Sequence, residues 1–245
     1  MTIAPHLKPG LSVVTTTDPV AGHLATLLQQ LSAQAEACGE QFEVIIVDDL
    51  KLWHSAAAVA LPALPGLTLR PLWYPEKRGQ LSAMLAGLGL ARADVVLTID
   101  PDMFACVVEL PALRQQLRPG IHLVHAARTA RPDAGHVRRF GSLLANLAVR
   151  LITGLRVPDL SSPVTLLRRP AAQDLLGCVG HIRNARLYLY VRLGQALSVY
   201  PLRHGAPSDS PSQYRLLTLI ALFFSLIRDS MEVRHKLGAL PTDSR

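Results

Sequence analysis

Two short apolar runs constrain this chain more than any other feature, because each stops abruptly on acids. Phe42 to Val47 (FEVIIV) runs into Asp48-Asp49, and Asp94 to Ile99 (DVVLTI) runs into Asp100-Pro101-Asp102. Both are rich in β-branched residues and too short for buried helices, so they predict buried strands. Leu11 to Thr15 (LSVVT) predicts a strand before them, and Leu67 to Leu72 one between them. The intervening segments carry helical spacing. His23 to Cys38 aligns Leu24, Leu27, Leu28 and Leu31 and stops at Gly39, while Gln80 to Leu90 puts small residues along one face. Such alternation predicts an α/β fold, a doubly wound and mostly parallel sheet flanked by helices. Ligands of these sheets sit beyond the carboxyl ends of the strands. Both acidic pairs fall there.

The pattern continues while the charge changes sign. A weak helix and turn are predicted over 55–66, a helix over Leu110 to Leu117 and a strand over Ile121 to Ala126. Val137 to Gly154 reads as a long amphipathic helix with Arg138, Arg139 and Arg150 among Leu and Ala. Asp159 to Arg169 (DLSSPVTLLRR) predicts a turn and a strand. Helices over Ala171 to Leu176 and Ile182 to Leu193 follow, then a strand over Ala196 to Leu202. A polar Pro/Ser loop at 205–213 leads to an apolar helix from Tyr214 to about Leu237. Residues 1–127 carry 8 Lys/Arg against 11 Asp/Glu, a net −3, whereas 128–192 carry 11 Arg against 3 Asp, a net +8. That basic half either faces an anionic partner (a diphosphate, a lipid phosphate, a membrane surface or a nucleic acid) or is a solvated Arg-rich face.

Cys38, Cys106 and Cys178 form no CxxC pair, which argues against zinc and a disulfide framework and fits a reduced, cytoplasmic compartment. The first ten residues have no apolar signal core. The longest apolar run, Leu216 to Ile227, is broken by Thr218 and Ser225 and is shorter than the ~20 residues of a membrane span. The expectation is a soluble or peripheral chain.

Asp100 and Asp102 at a strand end are placed to share one hard divalent cation, Mg²⁺ or Mn²⁺, whose oxygen shell substrate phosphates often complete. Taken alone, D-x-D is also an ordinary turn former, with Pro101 fixing one backbone angle. Asp48-Asp49 either caps the following helix or offers a carboxylate to a nucleobase or ribose.

The order of these segments carries a resemblance. SVV at 12–14, VIIVDD at 44–49, RGQLSAMLAGLGLARAD at 78–94 and VVLTIDPD at 95–102 resemble the polyprenyl-phosphate (dolichol-phosphate mannosyltransferase-like) branch of the family 2 glycosyltransferases, whose fold is called GT-A. HAAR at 125–128 resembles the family's Arg-bearing segment after the fifth strand. RRFGSLLANLAVRLITGLRVPDLSSPVTLLRR at 138–169 resembles its basic helix, TG turn, Asp-containing loop and following strand. The resemblance spans roughly residues 11–237. It implies one domain over 1–237, with a nucleotide-binding lobe (1–127), an acceptor-side lobe (128–213) and a C-terminal amphipathic helix (214–237), then a tail at 238–245.

Carried over by position, Asp100 and Asp102 bind the metal and the donor diphosphate, Asp49 contacts the nucleoside, and Arg128 the diphosphate or acceptor phosphate. The implied reaction is inverting transfer from a nucleoside-diphosphate sugar to a lipid-phosphate, hydroxyl or other small-molecule acceptor. A phosphate acceptor is already anionic, whereas an alcohol needs a base, for which Asp159 is the candidate beside a turn-capping role.

Three stretches depart from the family. Thr16-Thr17-Asp18-Pro19-Val20 stands where a Pro-x-Tyr-Asn-Glu segment lines the nucleotide pocket, leaving Asp18 as the substitute. In HGAPSDSPSQY (204–214), His204, Ser212 and Tyr214 match, but Pro207, Ser210 and Gln213 replace Arg, Gly and Lys. Pro163-Val164-Thr165 replaces a Gly or Asp followed by Phe-Arg. These changes keep an alternative open, a catalytically weakened homologue that binds a nucleotide, a lipid or a partner. In place of the family's frequent transmembrane helices stands the stripe at 214–237. It either packs on the core, forms a homodimer contact or lies peripherally on the inner face of the membrane. Nucleic-acid binding is not expected, since no stacking aromatics interleave the arginines.

Overall fold

Seven strands form one sheet in the order β3-β2-β1-β4-β6-β5-β7: β1 (Leu11–Thr16), β2 (Phe42–Asp48), β3 (Leu67–Trp73), β4 (Val95–Thr98), β5 (Leu123–Arg128), β6 (Thr165–Arg168) and β7 (Leu197–Leu202). The computed structural model describes residues 8–20, 22–48, 63–73, 80–128, 136–177, 184–203 and 216–237. Asp49, the helix expected within 55–62, and the loop at 205–213 lie outside the described residues. The helices are α1 (His23–Cys38), α2 (Gln80–Leu90), α3 (Leu110–Gln116), α4 (His136–Thr153), α5 (Arg169–Gly177), α6 (Ala185–Leu193) and α7 (Leu216–Leu237). The sheet is doubly wound and mostly parallel, as the alternation predicts.

Side-chain alternation along the strands separates two apolar layers. Val13, Val44 and Ile46 pack with Leu27, Leu28 and Leu31 of α1 and Leu110 and Leu113 of α3. Val14, Ile45 and Val47 point the other way, onto Ala83, Met84 and Leu88 of α2, and that layer extends to Leu175, Leu187, Val149 and Val233 of α5, α6, α4 and α7. Gly39, at φ 64°, ends α1 by donating its N–H to the carbonyls of Ala35 and Glu36.

Two features depart from a simple alternating pattern. The expected strand at 121–126 lies two residues later, because β5 runs in parallel register with β7 as far as Arg128 opposite Leu202. A 3-10 segment, Pro101–Glu109, fills the space between β4 and α3, with Pro101 at its first turn, where a missing N–H costs nothing. The segment buries Met103, Cys106 and Val107, too tight and too irregular for a 3.6-residue period to reveal.

The connections set the location of a site. β1 pairs with β2 on one side and with β4 on the other, so the strand order reverses at β1. β6 runs antiparallel between β4 and β5, with Thr165 opposite both Thr98 and His125. The loop entering β6 therefore emerges at the edge where β4 and β5 end.

α2 approaches the sheet closely at Gly87, where an added Cβ would lie 2.4 Å from Val14 Cγ1 and 3.2 Å from Val47 Cγ2. Gly87→Ala is expected to push α2 off β1 and β2 and lower stability by about 1–3 kcal/mol, despite alanine's better helix propensity, as read by urea denaturation.

Candidate active site

The first wall is built at the end of β1. Thr17 donates its N–H to Val47 O at 3.0 Å and its hydroxyl to the buried Asp48 carboxylate at 2.9 Å, tying the ends of β1 and β2 together. Asp18 follows at once. Its Oδ1 accepts from Val20 N at 2.7 Å, and its Oδ2 meets His23 Nδ1 at 2.8 Å in the first turn of α1. The His23 ring in turn rests against Phe104, with centroids 5.8 Å apart.

The second wall is the end of β4. Asp100 is extended (φ −81°, ψ 149°), and its carbonyl accepts from Met103 N at 3.0 Å, which opens the 3-10 segment and places Asp102 in its first turn. Asp102 Oδ1 is buried and receives no hydrogen bond among the described residues. Burial, and next the negative charge of Asp18, push the Asp102 carboxyl above its ordinary value, while Arg128 and His23 oppose the rise. Those opposing effects bring Asp18, His23, Asp102 and Arg128 into one electrostatic neighbourhood, although they come from three different stretches of chain.

Arg128 ends β5 and is held by Asp159. Its Nε donates to Asp159 Oδ2 at 2.7 Å, its backbone N to the same oxygen at 3.2 Å, and its Nη2 to Oδ1 at 3.1 Å. Ser161 Oγ accepts from the same Nη2 and donates to Asp159 Oδ1 at 3.0 Å. This forked geometry is the strong form of an Arg–carboxylate pair. Asp159 sits at φ 46°, a left-handed conformation that aspartate tolerates better than most residues, and its carbonyl accepts from Ser162 N to close the turn before β6.

The sequence reading missed His125. Fully buried on β5, it faces Pro158 O and Asp159 O through Nε2, both at 3.1 Å, and Tyr190 Oη through Nδ1 at 2.9 Å. Carbonyls only accept, so Nε2 carries the proton and Nδ1 accepts from the tyrosine hydroxyl. Tyr190 Oη also lies 3.3 Å from Thr165 Oγ1. Burial drives the His125 pKa down to about 4, with the charge of Arg186 adding to the shift, so the ring stays neutral and clamps the strained turn. A lone histidine in a strand run carries no pattern that separates this role from ordinary packing; only Tyr190 of α6, far along the chain, completes it.

Among the predicted site residues, the structure thus brings together Asp18, Asp102 and Arg128, with Asp100 two residues from Asp102 and Asp159 bound to Arg128. No group of three or more His, Cys, Asp or Glu among the described residues is arranged to hold a metal by itself. The two carboxylates of the D-x-D turn leave most of a cation's shell to other oxygens.

Because the folded pKa of His125 lies below its ordinary 6.5, its stabilisation is complete above pH 6.5 and is lost as pH falls toward about 4. At 1.36 kcal/mol per unit the whole loss is about 3 kcal/mol. His125→Gln is expected to melt lower than wild type at pH 7 yet to lose less stability between pH 6.5 and 4.5, as measured by Tm across that range.

The family model of Glycosyl transferase family 2 matches residues 12–176. The undecaprenyl-phosphate 4-deoxy-4-formamido-L-arabinose transferase of Pseudomonas aeruginosa is 29% identical over 229 residues, covering 90% of this chain and 66% of the relative. Its counterpart from Shewanella sediminis is 27% identical over 206 residues, covering 83% and 61%. The chain thus spans about two thirds of the length of the curated relatives it matches. Among solved structures, glucosyl-3-phosphoglycerate synthase of Mycobacterium tuberculosis, in complex with Mn²⁺, UDP-glucose and phosphoglyceric acid, superposes with a TM-score of 0.64 at 19% identity, covering 92% of this chain and 79% of that one. Mannosyl-3-phosphoglycerate synthase of Rubrobacter xylanophilus gives a TM-score of 0.59 at 19% identity, covering 96% and 77%. These structural likenesses establish the GT-A fold. With a family match across most of the chain, a sheet that reverses at β1 and an acidic turn where β4 ends, the chain belongs to glycosyl transferase family 2.

Proposed function

We propose that this chain is a metal-dependent inverting glycosyltransferase that moves a sugar from a nucleoside-diphosphate sugar to a polyprenyl phosphate. The observation that carries this reading is the half-buried Asp102 carboxylate, its Oδ1 fully enclosed, in the electrostatic neighbourhood of Asp18 and Arg128 at the strand-order reversal. The names of the curated relatives support a lipid-phosphate acceptor, and a fold neighbour bound to Mn²⁺ and UDP-glucose supports the donor class.

The residues present suit a divalent cation. Asp102 Oδ1 is buried without a hydrogen-bond donor among the described residues, and its carboxyl is disfavoured as an anion until positive charge arrives. Asp100 and Asp102 would hold Mg²⁺ or Mn²⁺, which would neutralise the diphosphate as it departs. The chain's own groups do the rest. Arg128 keeps its guanidinium beside the acids, forked onto Asp159, so its charge faces a phosphate without rotamer loss at the moment of binding. Asp159 is read as the residue that positions Arg128. Both of its oxygens accept from Arg128, and an anionic phosphate acceptor attacks the anomeric carbon without a general base. Asp18, fixed by Val20 N and His23, shapes the nucleotide side, and Asp49 is assigned to the nucleoside. Residues 1–237 act as one domain, donor side first and acceptor side second, working peripherally at the cytoplasmic face. No helix among the described residues is long and apolar enough to cross a membrane.

A weakened homologue that only binds nucleotide is the second reading, motivated by Pro207 and Gln213 at positions where the family pattern has Arg and Lys. It predicts Mn²⁺-dependent thermal shifts with UDP-sugars and no transfer to a short-chain polyprenyl phosphate; measured transfer rules it out.

Asp102→Asn separates the site's function from its stability. Turnover is expected to fall at least about 100-fold, and Mn²⁺ should no longer raise Tm. In metal-free buffer at pH 7 the variant should melt above wild type, because the raised pKa makes the ionised carboxylate destabilising. That advantage should vanish as pH drops below the Asp102 pKa and wild type protonates. Undiminished turnover removes Asp102 from the metal site.

A further inference from the structure

Glu109 ends the 3-10 segment and stands at the amino end of α3, yet its side chain makes no capping hydrogen bond to that helix. It is 7% exposed, and a buried carboxylate is costly unless donors meet it. The donors come from the far end of the chain. Oε2 accepts from Tyr200 Oη of β7 at 3.0 Å, and Oε1 accepts from Arg203 N, one residue beyond that strand, also at 3.0 Å. The proposed reaction uses none of these three groups.

The link joins two parts of the molecule on which the candidate site draws. The segment Pro101–Glu109 carries Asp102 in its first turn and is packed by the buried Met103, Cys106 and Val107, with Cys106 Sγ donating to Met103 O at 2.9 Å. The sheet fixes the start of that segment at the end of β4. Glu109 fixes its far end to β7, which runs parallel to β5 and places Leu202 opposite Arg128. Among the described residues β7 is the edge strand, so no further strand steadies its end. Asp102 and Arg128 therefore reach the cleft on different elements, close enough for the guanidinium charge to oppose the rise of the Asp102 pKa. A metal-bound diphosphate has to satisfy both at once, Asp102 through the cation and Arg128 directly. Their separation decides how well it is held, and a misplacement on the order of 1 Å can cost about 100-fold.

We infer that Glu109 is a positioning residue that sets the Asp102–Arg128 separation for a metal-bound diphosphate, by tying the acidic segment to the strand beside Arg128; the inference rests on the metal-diphosphate reading above. Glu109 touches no phosphate itself. What it supplies is a pair of acceptors at a fixed place, and glutamine can supply the same link: its Oε1 accepts from Arg203 N while its amide donates to Tyr200 Oη.

The test is calorimetric binding of inorganic pyrophosphate with Mn²⁺, a probe that needs no knowledge of the donor's base or sugar, at a temperature where every variant is folded. Glu109→Leu is expected to bind at least about tenfold more weakly than wild type, and Glu109→Gln within about twofold of it. Gly87→Ala, destabilised at a distance from the site, should bind as wild type does. In an Arg128→Gln background, Glu109→Leu should cost less than about twofold more, because the spacing no longer matters once the guanidinium is gone. If Glu109→Leu does not fold, Tyr200→Phe, which removes one of the two bonds, is expected to weaken binding about threefold and to show the same dependence on Arg128. No binding by wild type, equal binding by Glu109→Leu, equal loss in Gly87→Ala or in Glu109→Gln, or additive losses with Arg128→Gln overturns the inference. Sugar transfer to a short-chain polyprenyl phosphate is followed alongside. If pyrophosphate binding follows the expected pattern and no sugar moves, the transfer reading fails and the role of Glu109 stands; if sugar moves while Glu109→Leu binds and turns over like wild type, the reverse holds.

Discussion

The direction of one four-residue strand organises the candidate site. β6 enters the sheet antiparallel between β4 and β5, so its amino end lies where theirs are carboxyl ends. Were β6 parallel, the turn at 159–162 would emerge on the opposite edge, far from the acids that follow β4. Instead Thr165 pairs with both Thr98 and His125, and the turn before it reaches Arg128. The Asp18 side of the cleft then comes from the reversal of strand order at β1, as in other doubly wound sheets. The Arg128–Asp159 side comes from this single inversion.

Around that frame the charges are arranged under tension. Burial disfavours the ionised Asp102 carboxyl, and the negative charge of Asp18 adds to that. Arg128 relieves part of it, but its forked pair with Asp159 already shares its charge. A site left short of positive charge is one that the cation and diphosphate of the proposed reaction would stabilise. Rigidity is supplied from behind. The chain Thr165–Tyr190–His125 ends on the carbonyls of Pro158 and Asp159, holding a residue at φ 46° that would otherwise relax. Only the neutral form of the ring, not the imidazolium, can donate on one side and accept on the other, which is why its burial matters.

Much of the fold was legible locally. FEVIIV and DVVLTI became β2 and β4 because β-branched runs of that length have few alternatives, and the helical spacing from His23 to Cys38 became α1, stopped at Gly39. What blurred was governed by partners. β5 slid two residues to meet β7, and the 3-10 segment at 101–109 had no period to read. In the candidate site Asp18, Asp102 and Arg128 could be named from motif and position. Asp159 could be named as an acid in a turn, but its attachment to Arg128 depends on a register no local window contains. The apolar run of the sequence lies on α7, whereas α4 carries a row of exposed leucines, Leu143, Leu147 and Leu151; helical period alone cannot tell an inward stripe from an outward one.

Sequence by itself determined the alternation of strands and helices, the acids at strand ends, the change of charge near residue 128 and hence the family likeness, since all of these reside in short-range pattern and order. Tertiary structure alone decided that β6 runs backwards, that the half-buried Asp102 feels the charge of Asp18, that His125 finds Tyr190, and that α4 turns its leucines outward. Those outcomes depend on which distant segments share a hydrogen-bond ladder and which face of a helix the sheet covers. Both are choices made by packing the whole chain at once.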